Sequence, residues 1–108
     1  MPKSRKKKPD RRREIWAKSG GVCAHCGRAV DASHQTIDHF IPRSMDGGFD
    51  KRNLMPLCKK CNIDRMSEEI DPREYYLFAY EWAIDECLQY RDEWEEMRMD
   101  ITGTIITP

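Results

Sequence analysis

Two cysteine pairs of identical spacing stand in this sequence, Cys23-Ala-His-Cys26 and Cys58-Lys-Lys-Cys61. A Cys-x-x-Cys turn brings two thiolates to the separation at which they can share one tetrahedral zinc, at roughly 2.3 Å per bond. Two such pairs fill four positions and leave none open, which is the arrangement of a structural Zn²⁺ rather than a catalytic one. The 31 residues between the pairs exceed the roughly 15–20 of a simple ribbon, so folded structure must lie between them. A redox motif would call for one pair. Haem attachment would need His after the second cysteine, where Gly27 and Asn62 stand instead. Disulfides are the competing use of the four thiols. His25 reads as a solvent-facing spacer, since four thiolates already suffice, and Cys87 reads as a small core residue.

Around those pairs run Ile37-Asp38-His39-Phe40-Ile41-Pro42, then Gly47-Gly48, then Asn53-Leu54-Met55-Pro56-Leu57, which leads into the second pair and Asn62. In this order and near this spacing, the chain from about residue 20 to 65 resembles the HNH endonuclease family. Each element alone is a weak signal and the set is a specific one. The resemblance implies a ββα-metal fold and metal-dependent hydrolysis of DNA phosphodiesters. Under it, His39 is the general base, because an imidazole with a pKa near roughly 6.5 is mostly neutral at physiological pH and can take a proton from water. Asp38 and Asn62 offer oxygen ligands to one divalent cation that polarises the phosphate and steadies the leaving oxygen. Asn53 holds the connecting loop by hydrogen bonds and so orients His39. Many family members carry His where Asn62 stands, so this is the His-Asn-Asn version. An amide oxygen is harder than an imidazole nitrogen, which favours Mg²⁺ or Mn²⁺ over Ni²⁺ or Zn²⁺. Arg65 stands where Lys is common, and either cation can meet a phosphate. The small size also resembles that of phage-encoded nucleases that act beside DNA-packaging machinery.

Each of these residues has a plainer use. His39 could be a hydrogen-bonded strand histidine, Asp38 a salt-bridge or turn residue, Asn62 an N-cap, and Asn53 an ordinary turn residue. His34 reads as a surface residue. Neighbours on a regular strand point to opposite faces, so Asp38 and His39 can approach one phosphate only at a bulge or a strand end.

The elements that must position these groups are few. Asp10 can cap a helix over about residues 11–18, with Ile15 and Trp16 as its contacts, stopping at Gly20 and Gly21. Residues 35–41 and 54–57 read as two strands of a hairpin, whose connection includes Asp46-Gly47-Gly48, residues tolerant of positive φ. Residues 58–66 turn helical. Asp71-Pro72-Arg73-Glu74 is a strong helix start, and one helix is expected over about residues 72–98, with Leu77, Tyr80, Ile84, Cys87 and Leu88 as its buried stripe and Trp82, Tyr90 and Trp94 on other faces. The fold class expected is α+β: a zinc-stapled ββα-metal domain at 10–68, preceded by a basic disordered arm at 1–9 and followed by an acidic helical extension at 69–108.

Charge is distributed unevenly behind a net of zero. Residues 1–13 carry eight bases against Asp10, and residues 68–108 carry twelve acids against three arginines. DNA is the expected partner, with the arm and the side chains Arg43, Lys59, Lys60 and Arg65 meeting phosphates. The acidic helix is expected to pack on the zinc domain, screen the arm or engage a protein partner. With no apolar run of membrane-spanning length and no signal-peptide pattern, the protein is expected to be soluble and intracellular, cytoplasmic in a bacterium or phage-encoded. In 108 residues of which 35% are charged, the core must be modest, and small cores need a staple.

Overall fold

Asp10 opens the first helix, α1 (Arg11–Trp16), accepting the Arg13 amide on its side chain at 3.3 Å and the Glu14 amide on its carbonyl at 3.0 Å. The helix buries Ile15, tightens into a 3₁₀ turn at Ala17–Ser19, and ends at Gly20 with a left-handed φ of +67°. The computed structural model describes residues 10–67 and 69–101, so the arm at 1–9 and the tail at 102–108 lie outside the described residues. No helix among the described residues is long and apolar enough to cross a membrane.

Two strands, β1 (Thr36–His39) and β2 (Leu54–Leu57), pair antiparallel, with Thr36 opposite Leu57 and His39 opposite Leu54. The first is shorter than the 35–41 expected. The Gln35 amide turns back to the Asp31 carbonyl at 2.9 Å, and the Ile41 amide is taken by the Asn53 side chain instead of by a ladder partner. All four residues of β2 are buried, and the Ala24 amide closes its other edge by donating to the Pro56 carbonyl at 2.9 Å. That bond sets the first cysteine turn against the strand that leads directly into the second.

The connection between the strands contains two 3₁₀ turns, Arg43–Met45 and Lys51–Asn53. Of Asp46, Gly47 and Gly48, only Asp46 adopts positive φ, at +67°. Gly47 is required for space instead: a Cβ there would lie 1.7 Å from the Ile41 carbonyl oxygen, a backbone atom with no rotamer to give. Gly47→Ala is therefore expected to lower unfolding free energy by about 3 kcal/mol, the upper end of ordinary overpacking. Urea denaturation followed by circular dichroism measures this, and a loss below about 1 kcal/mol would mean that the loop re-forms without strain.

After β2, Cys58 caps α2 (Lys59–Asp64). Asn62 therefore lies inside that helix and neither heads it nor serves as its N-cap. The C-terminal part departs furthest from expectation. In place of one helix over 72–98 there is a single turn, α3 (Pro72–Tyr75), a break, and then α4 (Glu81–Ile101). The break arises because the half that carries the first cysteine turn captures the amides a continuous helix would use: Phe78 N–H donates to the Ala24 carbonyl at 2.9 Å and Tyr80 N–H to the Lys18 carbonyl at 2.8 Å. The helical phase is reset as a result. Leu77 and Tyr80, expected in the buried stripe, are 62% and 50% exposed, while Ala83, Ile84 and Cys87 face the core.

Tyr90 and Trp94 are not on other faces, since they reach the hairpin connection: the Tyr90 hydroxyl accepts the Gly48 amide at 2.8 Å, and Trp94 Nε1 donates to the Met45 carbonyl at 3.1 Å. Arg52 adds a two-pronged ion pair to Glu93 at 2.8 and 2.9 Å. His25 is not a solvent-facing spacer either. It is half-buried, donates from Nδ1 to the Tyr75 carbonyl at 2.8 Å and stacks on the Tyr75 ring at 4.1 Å. Phe40, Ile41, Met55, Leu57, Tyr76 and Cys87 thus form one core that runs through the hairpin and the C-terminal extension alike. The acidic helix buttresses the connection that carries Arg43 and Asn53.

Candidate active site

β1 runs in regular register and ends at His39, so the two side chains diverge at a strand end with no bulge. Both nevertheless line one cavity of about 170 Å³, together with Arg43, Asn62, Arg65 and Met66. Asp38 forms its inner wall, with 6% of its surface exposed. Its Oδ2 accepts from Arg65 Nε at 3.1 Å and from the Tyr76 hydroxyl. Burial raises the carboxyl above the ordinary carboxylate range, and Arg65 and Tyr76 oppose that rise. Tyr76, buried and facing Asp38, is held well above the usual phenol range and so remains a donor. Among the described residues no donor reaches Asp38 Oδ1.

His39 is half-buried, its ring edge-on to Phe49 with centroids 5.1 Å apart. Its Nε2 is buried without a hydrogen-bond partner among the described residues, so packing holds the ring and the plain reading of a hydrogen-bonded strand histidine does not fit. Burial lowers its pKa, with Arg43 acting in the same direction and Asp38 against it. Asn53, wholly buried, accepts the Ile41 amide at 2.7 Å and donates to the carbonyls of Ile41 at 3.1 Å and Gly48 at 2.9 Å. With its own carbonyl taking the Phe40 amide at 2.7 Å, it pins both ends of the connection that follows His39. Asn62 lines the cavity from α2, and no hydrogen bond engages its side chain among the described residues. The Asp38 and Asn62 oxygens are hard donors in a polar hollow, a set that fits a hard divalent cation better than a soft one.

Behind β2 the sulfurs of Cys23, Cys26, Cys58 and Cys61 all lie within 4.8 Å of one another, with Cys26 and Cys58 3.9 Å apart. A tetrahedron with bonds of roughly 2.3 Å has sulfur–sulfur edges of roughly 3.8 Å, so the four thiols can hold a metal ion such as zinc. Burial works to raise the Cys58 thiol, but the Cys61 amide and the neighbouring thiols bring it down to about 7, while burial and Cys58 push Cys61 up. Four thiolates this close cannot all ionise without a cation among them.

Comparison with known proteins agrees with this geometry. The family model for HNH endonuclease matches residues 23–68. The CRISPR-associated endonuclease Cas9 of Corynebacterium diphtheriae is 39% identical over 41 residues, which cover 37% of this chain and 4% of that protein. Residues 23–68 are an HNH endonuclease domain.

The HNH segment holds Asp38, His39, Asn53, Asn62 and the four cysteines, and the basic side chains expected to meet phosphates do not share one place. Arg43 borders the cavity, with its guanidinium 5.0 Å above the Phe49 ring. Lys59 and Lys60 lie instead along a groove shared with Arg28 and Asp64 beside the cysteine cluster, and Lys60 pairs with Asp64 at 3.0 Å. Arg65, expected to face a phosphate, turns inward. Its side chain is 4% exposed and bonds Asp38 together with the carbonyls of His39 at 3.3 Å and Phe40 at 3.0 Å. His34 is exposed beside Asp31. Sequence reading missed Tyr76, which lies outside the HNH segment and carries no motif, and Phe49, whose neighbour Gly48 drew attention only as a turn residue. It also missed Lys18, which is buried with its ammonium on the Lys51 and Leu54 carbonyls and Glu86 at 3.4 Å. Nothing in a helix-ending lysine signals burial.

Proposed function

We propose that this protein is a metal-dependent DNA endonuclease, in which His39 is the general base and Asp38 and Asn62 hold one Mg²⁺ or Mn²⁺, on a scaffold stapled by zinc in the four-cysteine site. The observation that carries this reading is the convergence of Asp38, His39 and Asn62 on one polar cavity within an HNH segment. When bound, the divalent cation neutralises charge on the scissile phosphate and steadies the leaving 3′-oxygen. His39 takes the proton from the attacking water as its oxygen bonds to phosphorus and the bond to the 3′-oxygen breaks. Asn53 keeps the loop after His39 in place, so the imidazole and the cation ligands stay in register. Arg43 supplies a phosphate contact at the rim, and Lys59 and Lys60 extend the contact along the backbone.

Supercoiled plasmid incubated with zinc-loaded protein tests the reading. Relaxed or linear product is expected when Mg²⁺ or Mn²⁺ is added and not when both are withheld. If the folded protein leaves plasmid, linear duplex and single strands intact with either metal, yet binds DNA in a salt-sensitive way, it is a binding module and the endonuclease reading fails.

A further inference from the structure

Tyr76 belongs to the segment beyond residue 68, yet it is 1% exposed and its hydroxyl ends on Asp38. A buried phenol needs a partner, and any acceptor in the core would serve that need. The pattern of bonds is more particular than that. Arg65 and Tyr76 approach Asp38 from the protein side and converge on the same oxygen, Oδ2, leaving Oδ1 without a donor among the described residues. Arg65 cannot drift with the carboxylate, because the carbonyls of His39 and Phe40 hold its guanidinium. The Tyr76 ring is fixed in turn by edge contacts with Phe40 at 6.3 Å and Tyr75 at 5.3 Å, and the Tyr75 ring is clasped by His25 from the first cysteine turn. A carboxylate bound twice at one oxygen has lost rotation about its last bond. Its other oxygen then keeps one direction.

We propose that Arg65 and Tyr76 clamp Asp38 so that Oδ1 is presented to the divalent cation, which makes Tyr76, on the C-terminal extension, a positioning residue of the metal site. This rests on the reading of Asp38 as a cation ligand. It gives the extension a function: the break in the helix that places Tyr76 in the core completes the site from outside the HNH segment. Loss of an outer partner of a metal ligand typically costs 10- to 100-fold in metal affinity.

The test is Mn²⁺ binding by electron paramagnetic resonance on the full-length, zinc-loaded protein. Wild type, Tyr76→Phe, Arg65→Lys and Asp38→Asn are compared, with cleavage rates measured against Mn²⁺ concentration in parallel. Tyr76→Phe keeps the ring and removes one hydroxyl. It is expected to weaken Mn²⁺ about tenfold, to raise the half-saturating Mn²⁺ for cleavage by the same factor, and to recover most of the rate at saturating metal. An unchanged Mn²⁺ isotherm beside a lowered melting temperature would overturn the clamp, since a merely structural tyrosine moves only the latter. Weakened binding in Asp38→Asn with none in Tyr76→Phe overturns the clamp alone. Unchanged binding in Asp38→Asn overturns the ligand reading, and the clamp with it. If Tyr76→Phe does not fold, Arg65→Lys, which keeps the charge but loses the Nε bond, decides by the same isotherm.

Discussion

Replacing His39 by alanine is expected to slow metal-dependent cleavage by about 10²- to 10⁴-fold, the usual contribution of a positioned general base. Its cost to folding should be small by comparison. The imidazole Nε2 makes no hydrogen bond among the described residues, and its ring meets Phe49 by edge packing, so truncation breaks no polar network. The groups near it that do hold the fold are backbone: the pairing of His39 with Leu54, and the His39 carbonyl that accepts from Arg65. Both survive the substitution. A thousandfold loss corresponds to about 4 kcal/mol of barrier, against about 1 kcal/mol expected for losing a half-buried side chain that only packs. Single-turnover cleavage and a thermal melt on the same sample separate the two. Activity within tenfold of wild type would remove His39 from the chemistry. A melting temperature that fell in step with activity would return it to the role of a core residue.

That Asp38, His39 and Asn62 meet at one cavity and the four cysteines at one cluster was legible in the sequence, because the motif restricts both residue types and spacing. The strands were legible for a similar reason, since short buried runs between turn residues have few other uses. What escaped was settled by contacts distant in sequence. No Gly or Pro marks residue 76 as the end of a helical turn, since none occurs in residues 73–98. The chain breaks there because Ala24 and Lys18 offer carbonyls to Phe78 and Tyr80, and because the Tyr76 ring enters the core toward Asp38. Arg65 escaped in the same way. As a residue type it suits a phosphate, and only the fold shows a buried carboxylate within reach of it. Gly47 was noticed for the wrong property, since backbone freedom is visible in a sequence and the proximity of the Ile41 carbonyl is not.

Removing zinc is expected to unfold the molecule outright and not merely to inactivate it. The first cysteine turn is bonded to the edge of β2 through Ala24, and the second follows the end of that strand and caps the next helix. A metal ion held by the four thiols would join these two turns, and Cys23, Cys58 and Cys61 are themselves part of the buried core. Structural zinc in small domains contributes roughly 10–16 kcal/mol of apparent binding free energy near neutral pH, whereas whole domains are stable by only about 5–15 kcal/mol. A core this small cannot absorb a loss of that size. In its place would be four crowded thiols. Cys58→Ser should act like chelation, because it removes one of the four thiols while its hydroxyl can still cap α2 at the Cys61 amide. The expected result is one zinc per chain in the wild type by elemental analysis, less than a tenth of that in Cys58→Ser, and no cooperative melt by circular dichroism in the variant or after chelation. Mg²⁺ added to the chelated protein should restore neither fold nor cleavage, whereas Zn²⁺ should restore the fold and leave cleavage waiting on Mg²⁺. A cooperative melt that survived complete zinc removal would show that the hairpin and the extension hold together by packing alone, and the cysteines would then need another explanation.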